Sequence, residues 1–62
     1  MSDPKPGEVY FEFTAIGRSV KVSAIDAATG TEVSVMGPST ASQADLERLA
    51  LQKLLAKLKA AG

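Results

Sequence analysis

Three consecutive stretches of the chain alternate apolar and polar residues, and this pattern constrains the fold more than any other feature. The segments EVYFEFTAI, SVKVSAI and TEVSVM place apolar side chains at every second position. Such a period of two is typical of a strand with one buried face. The sequence therefore predicts three strands, the first beginning at Glu8. The two prolines and the glycine before it predict a flexible tail over residues 1–7, followed by a single domain over residues 8–62.

The two connections between these stretches predict how the strands pair. A two-residue turn at residues 17–18, with glycine at positive φ, places Ala15 opposite Val20 in an antiparallel hairpin. The loop DAATGT is expected to close between Asp26 and Thr31, with its glycine in a left-handed conformation. On one face of the sheet, the further predicted pairs are all apolar: Phe13–Val22, Phe11–Ala24, Ala24–Val33 and Val22–Val35. On the other face, Tyr10 is predicted to lie opposite Ile25. Both turns therefore predict the same antiparallel meander.

A helix is predicted after the third strand. The Gly-Pro pair in MGPSTAS cannot continue a strand, and either Ser42 with Asp45 or Thr40 with Gln43 provides the signature of a helix N-terminus. No helix-breaking residue follows up to Ala61. The expected fold class is α+β, a three-stranded antiparallel meander followed by one C-terminal helix, in the order β-β-β-α.

The leucines of DLERLALQKLLAKLKA do not share one side of this helix. On a helical wheel, four of them fall within a sector roughly 100° wide, and these are expected to cover the apolar face of the sheet: Leu51, Leu54, Leu55 and Leu58. Leu46 and Leu49 lie almost opposite. These two leucines are therefore predicted to lack a partner within a single chain.

The short chain indicates self-association. A domain of this size buries only about 60% of the surface that its unfolded chain exposes, and the sequence has no cysteine or histidine for a disulfide or a zinc site. We therefore expect a homodimer, formed by surface packing or by exchange of the helix about the MGPSTAS hinge. The predicted dimer or partner contacts are Leu46, Leu49, Tyr10, Ile25 and Met36. The alternative is a monomer in which the two leucines lie near the end of the sheet and are covered by Val9, the loop or the N-terminal tail.

The composition argues against an enzyme. Without an imidazole or a thiol, nucleophilic catalysis of the Ser-His or Cys-His type is excluded. Glu12 and Glu32 are expected on the outer face of the sheet, where Lys21 and several hydroxyl groups indicate an ordinary solvated surface. No phosphate-binding or dinucleotide-binding motif is present, so no catalytic residue, metal or cofactor is predicted.

Nucleic-acid binding is the alternative function. Tyr10 could stack on a base while Arg18 and Lys21 contact phosphates. The two outer-face glutamates and a formal charge of zero weaken this reading. The leading interpretation remains a structural or protein-interaction domain.

The sequence predicts a cytoplasmic protein. No apolar run reaches the length of a membrane span, and the N-terminal MSDPKPGE has neither the basic nor the apolar region of a signal peptide. Contact of the lysine-containing helix with a membrane surface is not expected, because its leucines are needed over the sheet.

The stretch EVYFEFTAIGRSVKVSAIDAATGTEVSVMGP, followed by a leucine-rich helix, resembles a family of short uncharacterised alphaproteobacterial proteins classed as a domain of unknown function. The resemblance extends from Glu8 to Lys59. It implies a small bacterial cytoplasmic domain without an established activity, so it assigns no catalytic or binding residue.

Overall fold

The predicted β-β-β-α architecture is confirmed. A computed structural model describes residues 8–61. Strands β1, β2 and β3 and helix α1 follow one another along the chain: Val9–Ile16, Ser19–Asp26, Glu32–Pro38 and Gln43–Ala61. The strands form one antiparallel sheet in the order β1-β2-β3. The tail predicted over residues 1–7 lies outside the described residues, and exchange of the helix between two chains stays a prediction.

The strand register agrees with the prediction at every pair. Ala15 lies opposite Val20, and all five further pairs occur as expected. Gly17 has a φ of 60°, and among residues 8–61 no residue other than glycine has a positive φ, which fits a two-residue turn with glycine in its first position. A slip of one residue would turn each apolar set to the opposite face. The turns and the alternation therefore fix the same register.

The longer loop is held by Asp26, a buried residue at the end of β2. Its carboxylate Oδ2 accepts hydrogen bonds from the Thr29 backbone N–H at 3.1 Å and from the Thr29 hydroxyl at 2.7 Å. The Asp26 N–H donates to the carbonyl of Thr31 at 2.8 Å, and Gly30 has a φ of 74°. The loop thus closes between the two residues that the sequence indicated.

Helix α1 begins immediately after Ser42. The Ser42 hydroxyl accepts a hydrogen bond from the Asp45 backbone N–H at 3.4 Å, so the first of the two expected capping arrangements is the one that forms. Only residues 39–42 separate the helix from β3. The helix therefore starts beside the end of β3.

The core lies between α1 and the sheet, but it uses a different side of the helix from the one predicted. The buried apolar residues are Val22, Ala24, Val33, Leu46, Ala50 and Leu54. Leu54 was expected there. The prediction that Leu46 lacks a partner is wrong, since only 6% of its surface is exposed, and the assignment of Leu55 to the core is also wrong, since 53% of its surface is exposed. Leu51 and Leu58 are half-buried.

Two small residues account for the difference. Ala50 is fully buried at the middle of the row formed by Leu46, Ala50 and Leu54, which are spaced four residues apart. Gly37 lies under Leu46, and a Cβ atom built on Gly37 would come within 2.5 Å of Leu46 Cδ2. The helix therefore approaches the sheet closely along this row, while a wheel weighted by leucines places its centre elsewhere.

Candidate interaction surface

One strand of the sheet is largely left out of the helix packing. Helix α1 packs extensively against β2 and β3, and β1 lies to one side of it. On the apolar face of β1, Phe13 is 39% exposed, Ala15 is exposed, and Phe11 is half-buried at the margin of the core. This face has the same alternating pattern as the covered strands, but the helix does not cover it.

Two depressions lie between β1 and α1. The first, with a volume of about 370 Å³, is lined by Phe13, Ala15 and the core residue Leu46 among others. The second, of about 290 Å³, lies between Phe11 and the helix residues Ala44, Glu47, Arg48 and Leu51. We call the two depressions together the β1 groove. Its floor is formed by the aromatic rings of β1, and its wall by one side of α1.

The exposed Leu55 belongs to the same side of the helix. Ala44, Arg48 and Leu51 line the groove, and Leu55 continues this row with alternating steps of four and three residues. An exposed apolar side chain that is absent from the core therefore lies on the side of the helix that lines the groove, one turn beyond Leu51.

The backbone edge of β1 is also open. The Glu8 carbonyl accepts a hydrogen bond from the Ala27 N–H at 3.0 Å, so the even-numbered residues of β1 direct their backbone groups towards β2. The N–H and C=O groups of the odd-numbered residues consequently point away from the sheet. These residues are Val9, Phe11, Phe13 and Ala15. Within residues 8–61, no other strand pairs with them.

The opposite edge of the sheet is protected by the helix. The outward carbonyl of Ser34 accepts a hydrogen bond from Lys53 Nζ at 2.8 Å, and that of Glu32 accepts one from Lys57 Nζ at 3.4 Å. The strand also ends in Pro38, which has no N–H to offer a neighbouring strand. Lysines and prolines at an edge are known ways of preventing pairing with another chain.

The five residues predicted as dimer or partner contacts do not form one surface. Tyr10, Ile25 and Met36 lie on the outer face of the sheet, opposite the helix, where Tyr10 and Met36 are exposed and Ile25 is half-buried. Leu49 is 53% exposed on the side of α1 that carries Lys53. Leu46 is part of the core and cannot be a surface contact. No partner chain tests the other four, which stay predictions.

The residues of the nucleic-acid alternative are also spread out. Arg18 lies in the turn that follows β1, whereas Tyr10 lies near the start of that strand, about 20 Å away at the usual rise per residue. Lys21 lies between them, opposite Thr14. The Tyr10 hydroxyl donates a hydrogen bond to Glu8 Oε2 at 2.8 Å, and this bond raises the pKa of the phenol. A carboxylate, and not a cation, therefore lies beside the ring that was expected to stack on a base.

Sequence reasoning did not identify Phe13 and Leu55 as surface residues. A signal was available in the element count: neighbouring strands are about 4.8 Å apart and a helix with its side chains is about 10 Å wide, so one helix covers about two strands. A third apolar strand next to a single helix is therefore expected to stay partly open.

The chain belongs to a family described as a domain of unknown function, DUF6898. The model of that family matches residues 6–61. A search of curated proteins and a search of solved structures found no match to the chain.

The described part of the chain contains neither a candidate metal-binding cluster nor a candidate membrane-spanning helix. No group of acidic side chains among residues 8–61 is arranged to hold a metal ion. The helix of this region is not long and apolar enough to cross a membrane. The β1 groove is thus the feature on which a functional proposal can be based.

Proposed function

We propose that this domain is a homodimeric protein-interaction module and that the β1 groove is its contact surface. The observation that carries the proposal is the open state of β1, which exposes both an aromatic face and a row of backbone groups. Among residues 8–61, β1 is the strand whose apolar face is least covered by the helix. Exposed apolar surface next to polar residues is characteristic of protein contacts.

The size of the chain supports a second copy as the partner. A domain of this size without disulfides buries a smaller fraction of its surface than larger domains do, and association is one of the few remaining ways to stabilise it. The formal charge of zero imposes no general repulsion between two copies. Each copy also carries the same exposed apolar surface, and both copies are present at the same concentration.

Exchange of α1 between two chains would not cover this surface. An exchanged helix would make the same contacts with β2 and β3 as it makes within one chain. The backbone edge of β1 would still be unpaired. Direct contact between the β1 strands of two copies, along the side of each β1 groove, is therefore the form of dimer that we propose.

Sedimentation equilibrium on the wild-type chain and on Phe13→Glu tests the proposal. The wild type is expected to change from monomer to dimer as its concentration rises. Phe13→Glu is expected to stay monomeric and folded, because this side chain is not part of the core and a charge at the contact disfavours association. Circular dichroism of the variant checks its fold.

Leu49→Glu is the matched control. Leu49 is more exposed than Phe13 and lies on the other side of the helix. This variant is expected to dimerise like the wild type. A wild-type chain that is monomeric at millimolar concentration would contradict the proposal, and a dimer that is lost in Leu49→Glu but kept in Phe13→Glu would place the contact elsewhere.

A further inference from the structure

We infer that two copies join by antiparallel pairing of their β1 strands, with the two-fold axis passing beside Phe13. This inference rests on the proposed homodimer and specifies its geometry. The two sheets then form one continuous sheet in the order β3-β2-β1-β1-β2-β3, with both helices on the same face. Three observations support it: the state of the two sheet edges, the direction of the β1 backbone groups, and the side chains that each register brings together.

The first observation selects the strand. Two outward carbonyls of β3, those of Ser34 and Glu32, are occupied by lysine ammonium groups. The outward backbone groups of β1 have no such partner among residues 8–61. An unprotected edge is the site at which a strand of another chain adds to a sheet.

The second observation limits the register. Only the odd-numbered residues of β1 direct their N–H and C=O groups outward, so odd-numbered residues must lie opposite each other in the paired strands. For a symmetric pair centred on this strand, the two-fold axis can then pass beside Phe11, Glu12 or Phe13. All three registers keep the apolar faces of the two sheets on the same side.

The third observation separates these registers. An axis beside Glu12 would place the two Glu12 carboxylates directly opposite each other, which is destabilising. An axis beside Phe11 would place Tyr10 opposite Glu12, and Ile16 would have no residue of the other β1 strand opposite it. Both registers leave exposed apolar side chains of β1 without an apolar neighbour.

With the axis beside Phe13, the exposed apolar side chains of β1 have apolar side chains opposite them. On the outer face, Tyr10 meets Ile16 of the second copy, and both of these residues are about half exposed in the single chain. Glu12 meets Thr14, so no two carboxylates face each other. On the inner face the two Phe13 rings meet, and each Phe11 lies opposite the small side chain of Ala15. The strand is thus complementary to itself in this register.

Cysteine cross-linking tests the register, because the natural chain has no thiol. Glu12→Cys and Thr14→Cys place single thiols on exposed outer-face positions. Directly opposite residues of the non-hydrogen-bonded type have Cα atoms about 4.5 Å apart, within the range of a disulfide. When the two variants are mixed and oxidised, the mixed disulfide is expected to exceed both homodimers combined, as read by intact mass.

Other products would overturn the inference. A dominant homodimer of Glu12→Cys would place the axis beside Glu12, and preferential linkage of Glu12→Cys to Tyr10→Cys would place it beside Phe11. Glu32→Cys on the β3 edge is the control and is expected to remain unlinked. A dimer in sedimentation that gives no β1 cross-link would contradict strand pairing while the proposed dimer stands, whereas a monomer in sedimentation would contradict the dimer itself.

Proline substitution provides a second test that does not depend on thiols. Ala15→Pro removes an N–H group that points outward, so β1 keeps its hydrogen bonds to β2 while the edge is blocked. We expect a folded monomer. Ser34→Pro removes an outward N–H from β3 in the same way and is expected to remain dimeric. A dimer of Ala15→Pro as stable as the wild type would contradict pairing through β1.

Discussion

The two edges of this small sheet differ in how far the helix covers them. On the β3 side, α1 covers the apolar face, and Lys53 and Lys57 bind the outward carbonyls. On the β1 side, Phe13 is exposed, and the outward backbone groups have no partner among residues 8–61. Since both edge strands have alternating apolar residues, most of the difference comes from the helix, and Pro38 at the end of β3 adds to it.

The short connection between β3 and α1 explains this difference. Residues 39–42 leave little freedom for α1, so the helix begins beside β3 and packs over the two nearest strands. The close approach at Gly37 and Ala50 then holds it there. The strand farthest from the helix becomes the strand available for contact with another molecule.

The largest expected effect on stability distinguishes alanine substitutions at two neighbouring leucines. Leu54 is fully buried over the covered strands, so Leu54→Ala should lower the free energy of unfolding by about 2–5 kcal/mol. Leu55 lies beside the open groove, and Leu55→Ala should change it by no more than about 0.5 kcal/mol. Urea unfolding of the dilute monomers measures both. Equal losses would show that the helix is rotated from the described position.

A smaller effect is expected where the helix meets β3. In Gly37→Ala the new methyl group would lie within 2.5 Å of Leu46 Cδ2, so Leu46 or the helix has to move. Such overpacking should cost about 1–3 kcal/mol, as measured by thermal or urea unfolding. Ser39→Ala, at an exposed neighbouring position, is the control and should unfold like the wild type. An unchanged stability of Gly37→Ala would mean that the helix does not rest on this glycine.

The smallest effect on stability is expected at the protected edge. Lys53 and Lys57 are exposed, so replacing both by alanine should change the free energy of unfolding by no more than about 1 kcal/mol, or about 0.5 kcal/mol for each surface substitution. The replacement would nevertheless leave β3 with free carbonyls. We expect the double variant to form species larger than a dimer at high concentration, as measured by analytical ultracentrifugation. A variant that stops at the dimer would show that the lysines do not protect this edge.

The sheet could be predicted from the sequence because its determinants are local. The turn at Gly17 and the Asp26 loop each fix a register, and the alternation of side chains requires the same one. The beginning of the helix could be predicted for the same reason, since Ser42 caps it through a neighbouring backbone N–H.

The rotation of the helix could not be predicted because it depends on how the helix and the sheet pack against each other. Leu46 is buried since Gly37 has no side chain to exclude it, and Ala50 is buried since its small size allows a close approach. A wheel ranks residues by hydrophobicity, so it selected Leu55 over Ala50. The β1 groove follows from that rotation and was therefore missed, although its residues Phe11 and Phe13 were recognised as apolar.

Hydrogen exchange of the outward β1 amides tests most directly whether the open edge is closed by a second copy. The N–H groups of Phe11, Phe13 and Ala15 are expected to exchange rapidly in dilute solution and to become protected as the concentration rises. The outward amide of Ser34 on β3 should exchange at the same rate throughout. Protection of the β1 amides that is absent, or that does not change on dilution, would contradict the account.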